Sequence, residues 1–209
     1  MTESSLFSPC LIFTDLSLEY LYSPPIWMEF LHQASTLIRA SPQRTVFGSG
    51  ADAVSAAIDH INPNIVLCVG QAGGRAKITP EFVGINYRDA RIPDNDGNQP
   101  HAEKIVEDGP DAYFATLPVR AMTEAMNEAG IPAAVSYTAG TYVCNDVMYS
   151  MLHALATKHP NARGAFLHVP FATEQATKQP ANTASLPIEV MTRGLEVALA
   201  AAVEHEVDT

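Results

Sequence analysis

Short, continuously apolar runs alternate along the chain with segments of helical periodicity, and no other feature constrains the fold as strongly. "ADAVSAAIDHI" spaces Val54, Ala57, Ile58 and Ile61 along one helical face, and "IVLCVG" follows as an apolar run ending in glycine. This predicts a helix feeding a buried strand. "TLPVRAMTEAMNEAG" opens with Pro118, suited to a first helical turn, repeats apolar groups at Leu117, Ala121, Ala125 and Ala129, and stops at Gly130. "IPAAVSY" reads as the next strand. The segment from Asn145 to Lys158 repeats Val147, Met148, Met151, Leu152 and Leu155 before the stop signals Lys158, His159 and Pro160. "GAFLHVP" is a further strand, and Ile188, Met191, Leu195, Leu199 and Val203 mark a final amphipathic helix. Strands alternating with helices predict an α/β fold, a three-layer α/β/α sandwich built on a mainly parallel twisted sheet. In such sheets binding sites gather at the carboxyl ends of strands.

Composition narrows the function classes. At 209 residues, 47% hydrophobic and 17% charged, the chain is long enough for one sizeable core and reads as a single domain. Lys and Arg total 12 against 23 Asp and Glu, a formal charge of -11, which argues against a nucleic-acid or membrane-surface partner. No Lys or Arg precedes Arg39 and no apolar run reaches membrane-spanning length, so a cytoplasmic protein is expected. The 3 cysteines, Cys10, Cys68 and Cys144, are too scattered for a disulfide framework or a zinc knuckle.

Two loops invite ligand readings. The glycines of "GQAGGRAKITPEFVGIN" lack both dinucleotide and phosphate-loop spacing, and no helical pattern follows them. "IPDNDGNQPHAE" sets Asp94, Asp96, Gly97 and Glu103 at calcium-loop offsets, but Ile92 falls at the first ligand position and Pro93 follows it, so a tight turn is preferred. No metal and no cofactor is called for.

The chemistry concentrates on Cys144, in "AGTYVCNDVMYSMLHAL", between a Gly-Thr turn and a helix start. A buried, inert small side chain is the commoner fate of a cysteine. A helix N-terminus instead offers unpaired N–H groups and the positive end of the dipole, and both favour a thiolate nucleophile. His168 stands at the end of the strand "AFLHV", just before Pro170. It is either a base within reach of a thiol or a histidine satisfied by a backbone carbonyl. His153, further along the helix, and His159, at its far end, are poorer bases for Cys144.

"VGQAGGRAKITPEFVGINYRDARIPDNDGNQP", "TLPVRAM", "SYTAGTYVCNDVMYSMLH" and "GAFLHVP" closely resemble the type I pyroglutamyl peptidases, or pyrrolidone-carboxylate peptidases, from about Thr45 through the last helix. The resemblance implies a cytosolic cysteine peptidase with an α/β sandwich fold that removes N-terminal pyroglutamate from peptides through a thioacyl-enzyme. Its motif positions make Glu81, Cys144 and His168 the catalytic triad. Arg91 is implied at the oxyanion, with an ion pair to Asp94 as the equally weighted alternative. Gln71 is implied at the lactam, where an unpaired polar group costs roughly 1 to 3 kcal/mol on burial. Tyr142 and Val143, beside the nucleophile, are read as pocket walls. A homo-oligomer, a homotetramer by the family resemblance, is implied as well.

Residues 1–44 depart from the family, whose members begin with a strand and a Gly-Phe-x-Pro-Phe-Gly-Gly loop that encloses the substrate ring. "CLIF" is the candidate replacement for that strand. The departure keeps two alternatives open, a non-catalytic relative that binds peptides or proteins and a cysteine amidase for another small acyl group. If Cys144 is the activated thiol, limiting iodoacetamide near neutral pH labels it well before Cys68. Equal labelling in the folded protein would remove the case for activation.

Overall fold

The computed structural model describes residues 45–207 and the backbone of 10–13. The segment 14–44, where the sequence was read as departing from the family, lies outside the described residues. In chain order the elements begin with β1 (Cys10–Phe13), α1 (Ser49–Ile61), β2 (Ile65–Gln71), β3 (Thr79–Glu81), β4 (Val83–Ile85), β5 (Ala112–Phe114) and α2 (Val119–Glu128). They continue with α3 (Val143–Lys158), β6 (Arg163–Val169), β7 (Phe171–Ala172), a single turn α4 (Thr173–Ala176), β8 (Ser185–Leu186) and α5 (Ile188–Glu204).

The principal sheet has the order β1-β2-β6-β3. Its two long strands, β2 and β6, run parallel with Cys68 opposite Phe166 and Gly70 opposite His168. Each is apolar for most of its length because the sheet is covered on both faces. β1, the predicted "CLIF", fills the position beside β2 as an antiparallel strand with Cys10 opposite Cys68. β3 joins β6 antiparallel and meets the chain at Ala133 and Ser136 through parallel bridges.

Adjacent residues of β6 show the two helical layers. Gly164 faces α3, where a methyl group would lie 2.7 Å from Leu155 Cδ1. Its neighbour Arg163 points the other way and donates to the carbonyls of Ala202 and His205 at the end of α5. α1 packs with α3 on one face and α2 with α5 on the other, giving the α/β/α sandwich read from the sequence.

Three details differ from expectation. "IPAAVSY" forms two isolated bridges instead of a continuous strand. Hydrogen bonds from Ile78, Ala134, Ser136 and Phe82 follow a parallel ladder, but Pro80 has no N–H and removes the rung between them. In α2 the buried stripe is Val119, Met122, Thr123 and Met126, whereas Ala121 and Ala125 flank it and Ala129 is exposed. The long methionines fill the interhelical space better than the alanines do. In α5 the buried residues are Met191, Gly194, Ala198, Ala201 and Ala202, while Ile188 is 52% exposed. Small residues are needed there because a methyl group on Gly194 would strike Ile78 Cδ1.

The start of α3 is fastened by buried polar groups. Asn145 accepts from Ile85 N–H and donates to the carbonyls of Ile85 and Tyr87, so it acts as an extra rung on β4. Asp146, with no exposed surface, accepts from Arg88 Nε at 2.7 Å and from the N–H of Gly48 at 2.8 Å. Asp146→Ala leaves Arg88 and that N–H without their acceptor, at a cost of about 3 kcal/mol. Thermal unfolding should then shift down by roughly 6 to 12 °C. Asp59→Ala, which removes the exposed ion pair with Lys158, should leave Tm nearly unchanged. Equal Tm values for the two variants would contradict the anchoring of α3 by Asp146.

Candidate active site

Strand register assembles one side of the site. Thr79 of β3 lies opposite His168 of β6, and Glu81 lies opposite Phe166. Side chains alternate along a strand, so Thr79, Glu81, Phe166 and His168 share the face that α3 covers. Glu81, with no exposed surface, accepts a hydrogen bond from His168 Nδ1 at 2.7 Å through Oε1. His168 is itself 4% exposed. This bond points the other ring nitrogen away from the carboxylate.

Cys144 is the second residue of α3, after the N-cap Tyr142, and is half-buried. Its N–H belongs to the first helical turn, where no preceding intrahelical carbonyl exists to accept it. The thiol hangs over Gly70, the β2 residue opposite His168: a methyl group there would sit 3.2 Å from Cys144 Sγ and 2.8 Å from Phe166 Cζ. Glycine is required at 70 by this close approach. Burial alone would lower the His168 pKa, but the hydrogen bonds with Cys144 and Glu81, and then their charges, outweigh it and raise the value above 6.5. Cys68 shares this face of the sheet but is only 1% exposed.

Arg75 belongs to the site and sequence reading missed it. It leaves the Gly73–Gly74 turn and donates through one guanidinium nitrogen to Glu81 Oε1 at 2.6 Å and to Thr79 Oγ1, and through the other to the carbonyl of Thr138 at 3.3 Å. Glu81 Oε1 therefore carries both His168 and Arg75, while the buried Oε2 has no protein partner. The available signal was weak: a basic residue shortly before Glu81 in "GGRAKITPE". Asn145 and Asp146 were more legible, as two polar residues interrupting an apolar helix start directly after Cys144.

The remaining candidates divide. Arg91 is exposed, in a loop whose flanks are pinned beside the turn that precedes Cys144: Thr141 Oγ1 donates to the Asp89 carbonyl, and Tyr142 OH to that of Pro93. The Arg91–Asp94 ion pair is not formed. Asp94 instead accepts from the N–H groups of Phe47, Asp96 and Asn98 and from the Asn98 side chain, and it closes the tight turn around Gly97. Burial works against its carboxylate charge, but these hydrogen bonds hold the pKa below the usual value. Tyr142 is half-buried, with its ring edge-on to Phe47 at 5.1 Å, whereas Val143 is 3% exposed and packs into the core. Gln71 ends β2, where its side chain hydrogen-bonds Gln175 at 2.5 Å. His153 is engaged with Tyr113 OH, and His159 with Asp59 and Asn62, so neither is aimed at Cys144.

Among the described residues, no helix is long and apolar enough to cross a membrane. Comparison with known proteins identifies the family. A sequence model described as pyroglutamyl peptidase matches residues 30–205, reaching further toward the N-terminus than the motifs quoted above. A pyrrolidone-carboxylate peptidase of Streptomyces coelicolor is 52% identical over 181 residues, 81% of this chain and 82% of that one. One from Finegoldia magna is 49% identical over 164 residues, 78% of this chain and 76% of the relative. The crystal structure of pyroglutamyl peptidase I from Bacillus amyloliquefaciens superposes with a TM-score of 0.75 at 44% identity, covering 79% of this chain and 78% of that one. With more than two thirds of both chains aligned at such identities, this chain belongs to the pyroglutamyl peptidase family of cysteine hydrolases.

Proposed function

We propose that the chain hydrolyses N-terminal pyroglutamyl peptides with Cys144 as nucleophile, His168 as acid and base, and Glu81 as the group that orients the imidazole. One observation carries this reading: a buried imidazole bonded to Glu81 through Nδ1 and interacting with the Cys144 thiol, at the N-terminus of α3. The thiolate attacks the pyroglutamyl carbonyl carbon and forms a C–S bond. The tetrahedral oxyanion is stabilised by the Cys144 N–H and by Arg91 at the rim. As the C–N bond breaks, His168 delivers its proton to the leaving amine and leaves a thioacyl-enzyme. His168 then takes a proton from water, whose oxygen attacks the thioester and releases pyroglutamate and the thiol.

The substrate is a small neutral ring with one N–H and one C=O. Gln71, at the strand end facing the site, suits backbone contacts to the lactam, and the Tyr142 and Phe47 rings supply apolar surface nearby. Val143 supports the wall from behind, given its burial in the core.

Purified protein should therefore release amine from a pyroglutamyl-arylamide, and leucyl and prolyl arylamides should be refused. Cys144→Ala and His168→Ala should each lose at least about a thousandfold in kcat, with Glu81→Gln retaining more activity than either. Absence of pyroglutamyl turnover in folded protein would leave the binding-module reading, and turnover of another acyl-arylamide the amidase reading. Near-normal kcat in His168→Ala would require another base.

The raised His168 pKa makes the imidazolium persist above pH 6.5. The active form is the thiolate with its imidazolium, so kcat/KM should hold through neutral pH and fall on the alkaline side as His168 loses its proton. Glu81→Gln removes a negative charge that stabilises this proton, so the alkaline fall should move to lower pH. An alkaline fall at the same pH in both proteins would break the link between Glu81 and His168.

A further inference from the structure

Glu81 presents an unusual distribution of partners. Its carboxylate is fully buried, yet His168 Nδ1 at 2.7 Å and the Arg75 guanidinium at 2.6 Å converge on the same oxygen, Oε1, while Oε2 is unpartnered within the protein. A hydrogen bond from His168 alone would be enough to orient the ring. The second donor is a fixed cation. Thr79 Oγ1 and the Thr138 carbonyl hold it from two further directions, so the guanidinium cannot swing away without losing all three contacts.

We infer that Arg75 is a positioning residue for the reaction, fixing the Glu81 carboxylate against His168 and weakening the carboxylate's hold on the imidazolium proton. The inference rests on the triad reading proposed above. An imidazolium bound to an unshared buried carboxylate gives up its proton reluctantly and is a poor acid for the leaving amine. A cation on the same oxygen takes up part of that negative charge and restores the acid's strength. The titratable and charged groups facing His168 are Cys144 from α3, Glu81 from β3 and, through Glu81, Arg75; β2 contributes Gly70 opposite the ring and the buried Cys68 further along the same face.

The sign of the effect follows from Coulomb's law: taking a cation away from a proton-binding cluster raises the pH at which the cluster releases its proton. Arg75→Gln keeps a hydrogen-bond donor and removes the charge. Its alkaline limb of kcat/KM should move up by about half a unit to one unit, opposite to the shift expected of Glu81→Gln. At the wild-type optimum kcat should fall about tenfold with KM little changed, because the guanidinium is engaged by Glu81, Thr79 and Thr138 and acts through Glu81. Arg75→Lys, which keeps the charge, should return the limb to its wild-type position.

The measurement is the pH dependence of pyroglutamyl-arylamide turnover by wild type, Arg75→Gln, Arg75→Lys and Cys144→Ala, with circular dichroism on each. An upward shift in Arg75→Gln that Arg75→Lys reverses supports the inference. An unmoved limb in folded Arg75→Gln overturns it while Cys144 dependence leaves the triad reading intact. Survival of wild-type turnover in Cys144→Ala overturns both. If Arg75→Gln does not fold, Arg75→Met takes its place, and failure of both to fold assigns Arg75 a purely structural role and overturns the inference.

Discussion

A carboxylate sealed from water governs the arrangement around it. Glu81 has no exposed surface, and an ionised carboxylate loses several kcal/mol of solvation on such burial unless hydrogen bonds and opposite charge replace it. The two groups that replace it come from different parts of the chain, His168 from β6 and Arg75 from the turn after β2. Satisfying Glu81 therefore fixes the spacing of β3 and β6, the face on which the imidazole lies and the path of the glycine turn. The antiparallel register of β3 on β6 does the rest, because Thr79 opposite His168 sets Glu81 diagonally across from the ring.

The proposed nucleophile, Cys144, is held by a separate set of polar contacts. Cys144 needs an open first helical turn, and an open turn gives the helix little reason to start at one residue instead of the next. Asn145 and Asp146 supply that reason from the protein's interior: Asn145 pairs with the backbone of β4 and Asp146 with Arg88 and Gly48. Their side chains bind only if α3 keeps its rotation, and that rotation turns Cys144 toward Gly70 and the imidazole. Residues adjacent in sequence thus divide the labour, Cys144 facing the site while its two successors anchor the helix beneath it.

Most of the architecture was legible because it depends on local pattern. α1, β2, α3 and β6 are long, strongly periodic or continuously apolar, and their lengths discriminate helix from strand. Where expectation and structure part, a contact distant in sequence is responsible. The strand at "IPAAVSY" loses its regular ladder to Pro80, some fifty residues earlier. The α5 stripe shifts onto Gly194 and alanines because Ile78 and α2 approach closely, a demand invisible in an amphipathic pattern that counts large side chains. The juxtaposition of Glu81 and His168 needed the β3–β6 register, which periodicity does not contain; the family motifs, not the spacing, pointed to it. Arg75 carried no comparable local signal, since a basic residue in a glycine turn is usually solvated.

The arginines near the site differ in how far their charge is already committed. Arg75 is answered by Glu81 and Arg88 by Asp146, each through contact with a buried carboxylate. Both charges are committed to partners inside the protein. Arg91 is different. Asp94, the ion-pair partner considered for it from the sequence, is saturated by backbone N–H groups and Asn98, and among the described residues Arg91 meets no carboxylate. Thr141 and Tyr142 hold the two ends of its loop against the turn that leads to Cys144. Filling Asp94 with backbone donors thus leaves the neighbouring guanidinium uncommitted, so the oxyanion role proposed for it requires no existing ion pair to break.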